Sequence, residues 1–303
     1  MSSLLVTGAG GFLGRYLCSH LAKDYHVVGA ALKDDEPVSG VEWKIVEKGD
    51  GLARLVRDIC PELVVHAAFV NRKPPDLNKQ QYLDGILAVN LPLFETLAGI
   101  NGKLVLISSS AVYGKAEGRG LIDETCPLRP ISLYGLGKVF QETVAQYCGR
   151  MGLRISITRL FNLCGPGQKE GMVLPDWVGK AWAVAKGKVL ELQVKHRMGS
   201  RDFVDVRDAA KAIILIAGDF RSGEVFNVAS GEAVSLLEIS EELTRLCPVP
   251  LNIKEAEPNP SESDVLIQRG SFEKIQSTYG WKPTIHWRQS LKDLWDWYGT
   301  RDK

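Results

Sequence analysis

A tyrosine and a lysine four residues apart could carry out proton transfer in this chain. Tyr134 and Lys138 are the first and last residues of the segment Tyr-Gly-Leu-Gly-Lys. Residues at this spacing lie on the same face of a helix, so the lysine ammonium is expected beside the phenol oxygen. A neighbouring positive charge favours the phenolate, which predicts a lowered pKa for Tyr134 and proton transfer near neutral pH. A surface tyrosine beside a solvated lysine would show the same spacing.

Three consecutive serines follow an apolar segment upstream of this pair. Ser108, Ser109 and Ser110 end the apolar run that starts at residue 104. Open α/β sheets bind ligands at the carboxyl ends of their strands. A serine at such an end could hydrogen-bond a carbonyl group that is being reduced. The alternative is a serine-rich loop that satisfies its own backbone.

A glycine-rich segment near the amino terminus has the spacing G-x-x-G-x-x-G. It lies between the apolar segment 4–6 and a helical pattern that begins at Arg15. In this strand–turn–helix context the glycines permit a tight turn, close approach of a pyrophosphate and close helix packing, and the helix start offers amide donors. The sequence therefore predicts a dinucleotide cofactor. The loop residues predicted to contact it are Gly8, Gly11, Phe12, Leu13 and Gly14.

The residue that would distinguish NAD from NADP is not where the pattern places it. An acidic residue about 20 positions after the loop binds the ribose of NAD, but residues 30–32 contain no carboxylate. Lys33 follows at once, and Arg15 follows the last loop glycine. Both could bind a 2′-phosphate, which favours NADP(H). NAD(H) stays open, because Asp34 or Asp35 could supply the carboxylate after a small register shift.

The pattern of apolar segments predicts an α/β fold. Continuous apolar runs suit strands that are covered on both faces, and their alternation with helical patterns indicates a doubly wound parallel sheet of the Rossmann type. The runs are 4–6, 26–32, 63–68, 104–108 and 155–160. We expect a Rossmann domain over residues 1–160 and a smaller α/β substrate-binding lobe over 161–303. About 195–217 should return to the Rossmann domain.

Composition restricts the partners. The chain has 303 residues, of which 45% are hydrophobic, and its 37 basic and 36 acidic residues give a net charge of +1. A balanced charge offers no field for holding nucleic acid. Neither a signal peptide nor a membrane-spanning segment is predicted, and six scattered cysteines suit a reducing compartment, so we expect a cytoplasmic protein. The five histidines show no close metal-ligand spacing, and no metal is expected.

Taken together, these motifs resemble those of the extended short-chain dehydrogenase/reductase family, of the NAD-dependent epimerase/dehydratase type. The resemblance extends over nearly the whole chain and is specific because so many motifs coincide. Besides the segments above, it includes Val65-His66-Ala67-Ala68, Asn90, Arg159-Leu160-Phe161-Asn162, Gly165-Pro166-Gly167, Arg201-Asp202-Phe203-Val204-Asp205-Val206 and Gly280-Trp281-Lys282-Pro283.

The resemblance implies a role for each of these residues. Tyr134 would be the acid/base, Lys138 its electrostatic partner and a ligand of the ribose, and Ser109 the catalytic hydroxyl. Asn90 would hold a relay water. The further cofactor contacts would be Ala67, Ala68 and Phe161, and the substrate contacts would be Ser109, Ser110, Asn162 and Arg201. Two long helices would pair with a second copy to form a homodimer.

Departures from the family pattern narrow the reaction. Dehydratases of the family place an Asp-Glu pair directly after the catalytic hydroxyl, and the 3,5-epimerase/reductases have a cysteine where Ala111 stands. Asn259-Pro260-Ser261-Glu262 is similar to an Arg-Pro-x-Glu motif of GDP-mannose dehydratases and GDP-4-keto-6-deoxymannose reductases, although Asn259 replaces the arginine. The expected reaction is NADPH-dependent reduction of the 4-keto group of a nucleotide-activated 4-keto-6-deoxy sugar. The alternatives are an NAD-dependent nucleotide-sugar 4-epimerase and a non-catalytic dinucleotide-sensing protein.

Overall fold

A seven-stranded parallel sheet organises the larger part of the molecule. The computed structural model describes residues 3–32, 35–47, 49–70, 77–115, 120–194, 199–255 and 267–301. The strands of this sheet are β1 (Ser3–Thr7), β2 (His26–Ala31), β3 (Glu42–Ile45), β4 (Leu63–His66), β5 (Lys103–Ser109), β6 (Arg154–Leu160) and β11 (Val225–Val228). Their order is β11-β6-β5-β4-β1-β2-β3, and all neighbouring pairs are parallel.

Helices cover both faces of the sheet. They are α1 (Phe12–Leu21), α2 (Gly51–Ile59), α3 (Lys79–Gly99), α4 (Leu133–Gly149) and α6 (Val206–Gly218). Because successive residues of a strand face opposite sides, Leu4 and Val6 pack in the core that contains α1 and α6. Leu5 packs in the core that contains α2, α3 and α4. The predicted doubly wound α/β fold is confirmed.

The register of the central strands brings the predicted motifs to one edge of the sheet. Thr7 at the end of β1 lies opposite His66 at the end of β4, and His66 lies opposite Leu106 of β5. The glycine loop, the segment after β4 and the three serines therefore leave the sheet side by side. The predicted strand 63–68 was two residues too long, because the chain leaves the sheet after His66.

Helix α3 delivers a polar residue into the interior. It begins with a capping box in which Asn78 accepts from the amide of Gln81, and it continues through Pro92 to Gly99. The face that it buries includes Asn90, whose side chain would be costly there without hydrogen-bond partners.

The remaining elements form a smaller lobe with its own core. Trp177, Trp287 and Trp295 are buried at its centre together with Leu291 and Tyr298. Its strands pair as β7–β10, β9–β12 and β8–β13. The elements are β7 (Asn162–Cys164), α5 (Val173–Ala185), β8 (Leu192–Val194), β9 (Ser200–Arg201), β10 (Phe203–Asp205), β12 (Val234–Ser235), α7 (Leu236–Leu246), β13 (Ile253–Glu255) and α9 (Trp287–Arg301). Helix α8 (Glu273–Tyr279) packs on the large sheet instead.

The chain crosses back to the large sheet after residue 205. Ile213 of α6 and Ile275 of α8 pack in the same core as Leu17 of α1, and β11 joins the edge of the sheet beside β6. The division into two domains at residue 160 stays a prediction. Among the helices described, none combines the length and the apolar character that crossing a membrane requires.

Candidate active site

Two glycines make the turn between β1 and α1 sterically compact. Gly8 adopts φ +68°, and a Cβ atom at Gly8 would lie 2.8 Å from the nitrogen of Ala68. A Cβ atom at Gly14 would lie 2.0 Å from the carbonyl oxygen of Gly8. Only glycine fits either position without displacing backbone. Ala67 donates to the carbonyl of Thr7 at 3.2 Å, so residues 67 and 68 lie next to the loop, as the resemblance implies.

The start of α1 has the properties of an anion-binding site. Gly11 occupies the N-cap position, is exposed and offers no side chain to cap the first helical amides. These amides have no acceptor inside the helix, and the positive end of the helix dipole lies there. Phe12 and Leu13 begin the helix at this point. The loop therefore fits the pyrophosphate of a dinucleotide.

A carboxylate and a guanidinium lie near the same end of the glycine loop. The Oδ2 atom of Asp35 accepts from the amide of Leu32 at 3.1 Å. A Cβ atom at Gly10 would lie 2.1 Å from Cγ of Asp35, so this carboxyl group touches the loop. Arg15 donates to the carbonyl of Glu36 at 2.8 Å. Lys33, the other predicted phosphate ligand, and Asp34 lie outside the described residues.

The start of α4 places Tyr134 beside Ser109. Ser132 caps α4 by accepting from the amide of Gly135 at 3.0 Å. A Cβ atom at Gly135 would lie 2.5 Å from the carbonyl oxygen of Ala111, so the first turn of α4 packs directly on the backbone after the serines. In this arrangement Ser109 and Tyr134 share a side-chain hydrogen bond. The oxygen of Ser109 also accepts from the amide of Ala111 at 3.2 Å.

The predicted lowering of the Tyr134 pKa is wrong. Burial raises the pKa of this phenol above its ordinary value, and the hydrogen bond with Ser109 lowers it by less. Burial also disfavours the charge on Lys138 and lowers the pKa of that ammonium to about 7, while Glu142 acts in the opposite direction. Desolvation therefore outweighs the attraction that the spacing suggested.

Lys138 is buried and held by groups from three directions. Its Nζ atom donates to the carbonyl of Ile107 at 2.7 Å and to Oε1 of Gln141 at 3.1 Å. The ring of Phe69 lies 3.8 Å from Nζ, measured to the ring centroid. The same ring meets Tyr134 edge to face, with centroids 5.5 Å apart. Phe69 thus lies against both residues of the predicted acid/base pair.

Asn90 belongs to a buried polar chain that leads away from Lys138. Its Oδ1 atom accepts from Nε2 of Gln141 at 2.7 Å and lies 3.0 Å from Nε2 of His66. The Nδ1 atom of His66 lies 2.7 Å from the hydroxyl of Thr7. Burial, together with the charge of Lys138, lowers the pKa of His66 to about 3. The histidine is therefore neutral at physiological pH.

A second buried network contacts Ser108, the first of the three serines. Arg159 and Glu142 form an ion pair with an N–O distance of 2.8 Å, and their side chains are 6% and 1% exposed. Ser108 donates to the same carboxylate. The guanidinium of Arg159 also donates to the hydroxyl of Tyr113 at 3.0 Å. Both charges are compensated, which is the condition for burying an ion pair without a large penalty.

Two of the predicted substrate residues, Asn162 and Ser110, contact a buried glutamine. Asn162 donates to Oε1 of Gln268 at 3.2 Å, and Gln268 donates to the carbonyl of Ser110 at 3.3 Å. Arg201 lies on β9, and its guanidinium donates to the carbonyl of Ser200 at 3.1 Å. The predicted cofactor residue Phe161 packs near Tyr113 with ring centroids 6.5 Å apart. The segment 259–262 lies outside the described residues.

A buried aspartate joins the loops around Gln268. Asp202 accepts from the amides of Ser230, Gly231 and Gly270, at 2.7, 3.0 and 3.0 Å. Burial raises the pKa of this carboxyl to about 6, although the amide donors favour its charged form. Sequence reasoning missed Gln268 and Gln141, and it quoted Asp202 within a motif without assigning it a role. The spacing of Gln141, three residues after Lys138 on one helix, was the available signal for that residue.

Comparison with known proteins identifies the family. The model of the NAD dependent epimerase/dehydratase family matches residues 4–229. This chain belongs to that family. GDP-6-deoxy-D-mannose reductase of Pseudomonas aeruginosa is 31% identical over 301 residues, which cover 97% of this chain and 96% of that protein.

Two solved structures of similar proteins contain nicotinamide dinucleotides. The structure of RMD from Pseudomonas aeruginosa complexed with NADPH has a TM-score of 0.84 and 28% identity, covering 99% of this chain and 100% of that chain. MoeE5 in complex with UDP-glucose and NAD has a TM-score of 0.85 and 25% identity, covering 100% of both chains. As a member of the family, this protein is an NAD(P)-dependent enzyme of the extended short-chain dehydrogenase/reductase type.

Proposed function

We propose that the protein reduces the 4-keto group of a nucleotide-activated 4-keto-6-deoxy sugar with NADPH. The observation that carries the proposal is the hydrogen-bonded pair of Ser109 and Tyr134 at the carboxyl end of β5. The next side chains are Ser110 and Ala111, which offer no carboxylate or thiol for a dehydration or a 3,5-epimerisation. The similarity to a GDP-6-deoxy-D-mannose reductase supports the same reaction.

The chain's own residues supply the proton and the polarisation that a ketone reduction needs. A bound nicotinamide supplies the hydride. Tyr134 carries its proton at neutral pH, since the ordinary pKa of a phenol is about 10 and burial raises it further, and it donates that proton to the carbonyl oxygen of the substrate. Ser109 donates a hydrogen bond to the same oxygen as negative charge develops there. Lys138 holds the ribose, and the amides at the start of α1 hold the pyrophosphate.

The test supplies the keto sugar directly. Purified protein is incubated with GDP-4-keto-6-deoxymannose and NADPH, and with the dTDP-linked 4-keto-6-deoxyglucose as a comparison for the nucleotide. We expect consumption of NADPH in proportion to a product that contains two additional hydrogen atoms, measured by absorbance and mass spectrometry. If neither keto sugar causes NADPH oxidation, the proposed reduction is incorrect.

An NAD-dependent nucleotide-sugar 4-epimerase is the second candidate, and one observation favours it. Asp35 places a carboxylate against Gly10 of the glycine loop, where the resemblance locates the adenosine ribose. A carboxylate there suits the free hydroxyls of NAD and repels a 2′-phosphate. An epimerase would be purified with NAD bound and would interconvert UDP-glucose and UDP-galactose without added cofactor. Measuring the nucleotide content of the purified protein separates the two candidates.

We also propose that the protein forms a homodimer through α3 and α4. Apolar side chains of this region are exposed on the monomer, including Leu136 and Tyr147 of α4. Light scattering is expected to give the mass of a dimer, and Tyr147→Lys should shift it towards the monomer. Met172→Lys is the matched control, because Met172 is an exposed apolar residue of the smaller lobe. A monomeric wild-type protein would contradict the proposal.

A further inference from the structure

Groups from β5, α4 and the segment after β4 surround the Lys138 ammonium. From β5 the carbonyl of Ile107 accepts one hydrogen bond, and from α4 the side chain of Gln141 accepts another. Phe69, after β4, presents its ring face at 3.8 Å. The titratable groups that act on it are Glu142 on the same helix and His66 on β4, and the latter is neutral at physiological pH. Tyr134 contacts the Phe69 ring edge to face.

The directions of the hydrogen bonds in this cluster can be assigned. The Nδ2 atom of Asn90 donates to the carbonyl of Ile86 at 2.7 Å, so Oδ1 is the atom that faces Gln141 and His66. An amide oxygen only accepts, and Nε2 of His66 therefore carries the hydrogen. The Nδ1 atom of His66 then accepts from the hydroxyl of Thr7.

The donated hydrogen bonds converge on one oxygen atom. Lys138 donates to Gln141, and Gln141 donates to Oδ1 of Asn90. His66 donates to the same oxygen. Lys138, Gln141 and Asn90 are therefore connected in one chain of hydrogen bonds that ends at Oδ1 of Asn90.

We infer that Gln141 is a positioning residue for Lys138, and that Asn90 acts on the lysine through the Gln141 amide. The inference rests on the proposed roles of Lys138 in the reductase. Gln141 fixes the position of Nζ and stabilises its charged form by accepting a hydrogen bond. Asn90 fixes the rotation of the Gln141 amide, so that the carbonyl end faces the ammonium.

The experiment measures the affinity for NADPH between pH 6 and pH 10 by nicotinamide fluorescence. Affinity is expected to fall as Lys138 loses its proton. Gln141→Leu removes an acceptor of the charged group and should move the midpoint to lower pH by about one unit. Gln141→Glu adds a negative charge beside the ammonium and should move it to higher pH. Gln146→Leu, an exposed position of α4, is the control and should leave the midpoint unchanged.

A double-mutant cycle tests the route from Asn90 to the lysine. Asn90→Ala should shift the midpoint in the same direction as Gln141→Leu but by less. The double variant should behave as Gln141→Leu alone, because the influence of Asn90 passes through Gln141. Additive shifts would show a separate route from Asn90 to Lys138 and would overturn the inference. Melting temperatures of all variants separate these effects from a general loss of stability.

The experiment on Gln141 can succeed or fail independently of the proposed sugar reduction. Cofactor binding requires no sugar substrate, so the midpoints are measurable whichever reaction the enzyme catalyses. A wild-type midpoint that moves in opposite directions in the two Gln141 variants supports the inference even if no keto sugar is reduced. Equal midpoints in wild type, Gln141→Leu and Gln141→Glu would overturn it.

Discussion

At the scale of single residues, Tyr134 is protonated at neutral pH, as the proposed reduction requires. A reduction needs a proton donor at the carbonyl oxygen, whereas an oxidation begins with removal of a proton from a hydroxyl. The phenol carries its proton at neutral pH, because its ordinary pKa lies well above 7 and burial raises it further. Ser109 shares a hydrogen bond with this phenol, so the two hydroxyls lie side by side.

Replacing Tyr134 by Phe should remove the proton donor and leave the cofactor site in place. We expect turnover to fall about a hundredfold to ten-thousandfold, which is the usual contribution of general acid catalysis. The dissociation constant of NADPH should stay close to the wild-type value. Tyr147→Phe, an exposed tyrosine of the same helix, is the matched control. Wild-type turnover in Tyr134→Phe would contradict the assigned role.

Arg15 and Asp35 should act in opposite directions on cofactor choice. The guanidinium of Arg15 suits a 2′-phosphate, and the carboxylate of Asp35 suits free ribose hydroxyls. Arg15→Ala is expected to weaken NADPH binding about tenfold with little effect on NADH. Asp35→Asn should weaken NADH binding and strengthen NADPH binding. Fluorescence titrations with both cofactors measure the four effects, and equal losses for both cofactors would exclude this discrimination.

At the scale of the elements, the helix starts determine where the side chains of the site lie. The cap at Ser132 sets the beginning of α4, and the contact of Gly135 with Ala111 sets how closely α4 approaches the end of β5. Helix α3 brings Asn90 to the same side of the sheet, where α3 and α4 pack against each other. The distance between Ser109 and Tyr134 is thus determined by packing between elements.

Substitution of two helical glycines tests whether the packing of α4 positions Tyr134 beside Ser109. Gly135→Ala would place a Cβ atom 2.5 Å from the carbonyl oxygen of Ala111, so α4 must shift away from the serines. We expect turnover to fall about tenfold to a hundredfold, because the reacting groups lose their alignment. Gly85→Ala in α3 meets nothing within 4 Å, and it should raise the free energy of unfolding by about 0.5–1 kcal/mol. Unchanged turnover in Gly135→Ala would show that this contact does not position Tyr134.

At the scale of the whole molecule, the buried titratable groups make stability depend on pH. His66 has a pKa of about 3 in the folded protein, against about 6.5 in an unfolded chain. The unfolded chain therefore binds more protons below pH 6.5, and stability is lost as the pH falls from there towards 3. Lys138 has the same effect at higher pH, because burial lowers its pKa to about 7. Above that pH the unfolded chain again binds more protons, so stability is lost as the pH falls towards 7.

Urea denaturation of wild type and His66→Gln at several pH values isolates the histidine. The carboxylates affect both proteins equally, so the difference between their free energies of unfolding reflects His66. Relative to the variant, wild type should lose up to about 1.4 kcal/mol per pH unit below pH 6. Parallel curves for the two proteins would contradict a neutral, buried His66.

The sequence by itself predicted the sheet and the strand–turn–helix setting of the glycine loop, and it placed Tyr134 and Lys138 on one helix. These features depend on local patterns, since apolar runs, glycine spacing and the i, i+4 spacing of Tyr134 and Lys138 reflect the geometry of single elements. The capping box of Ser235 and Glu238 depends on a local pattern in the same way. For the cofactor, the sequence reached the class of dinucleotide but left Arg15 and Asp35 as competing determinants.

Only the tertiary structure decided which groups surround Lys138 and how strongly it is desolvated. Phe69 and the carbonyl of Ile107 meet the lysine because the segment after β4 and the end of β5 converge on α4. No spacing in the chain measures that convergence. The direction of the Tyr134 pKa was predicted wrongly for the same reason. Spacing shows that a cation is near a phenol, whereas the pKa depends on how much water packing removes from both.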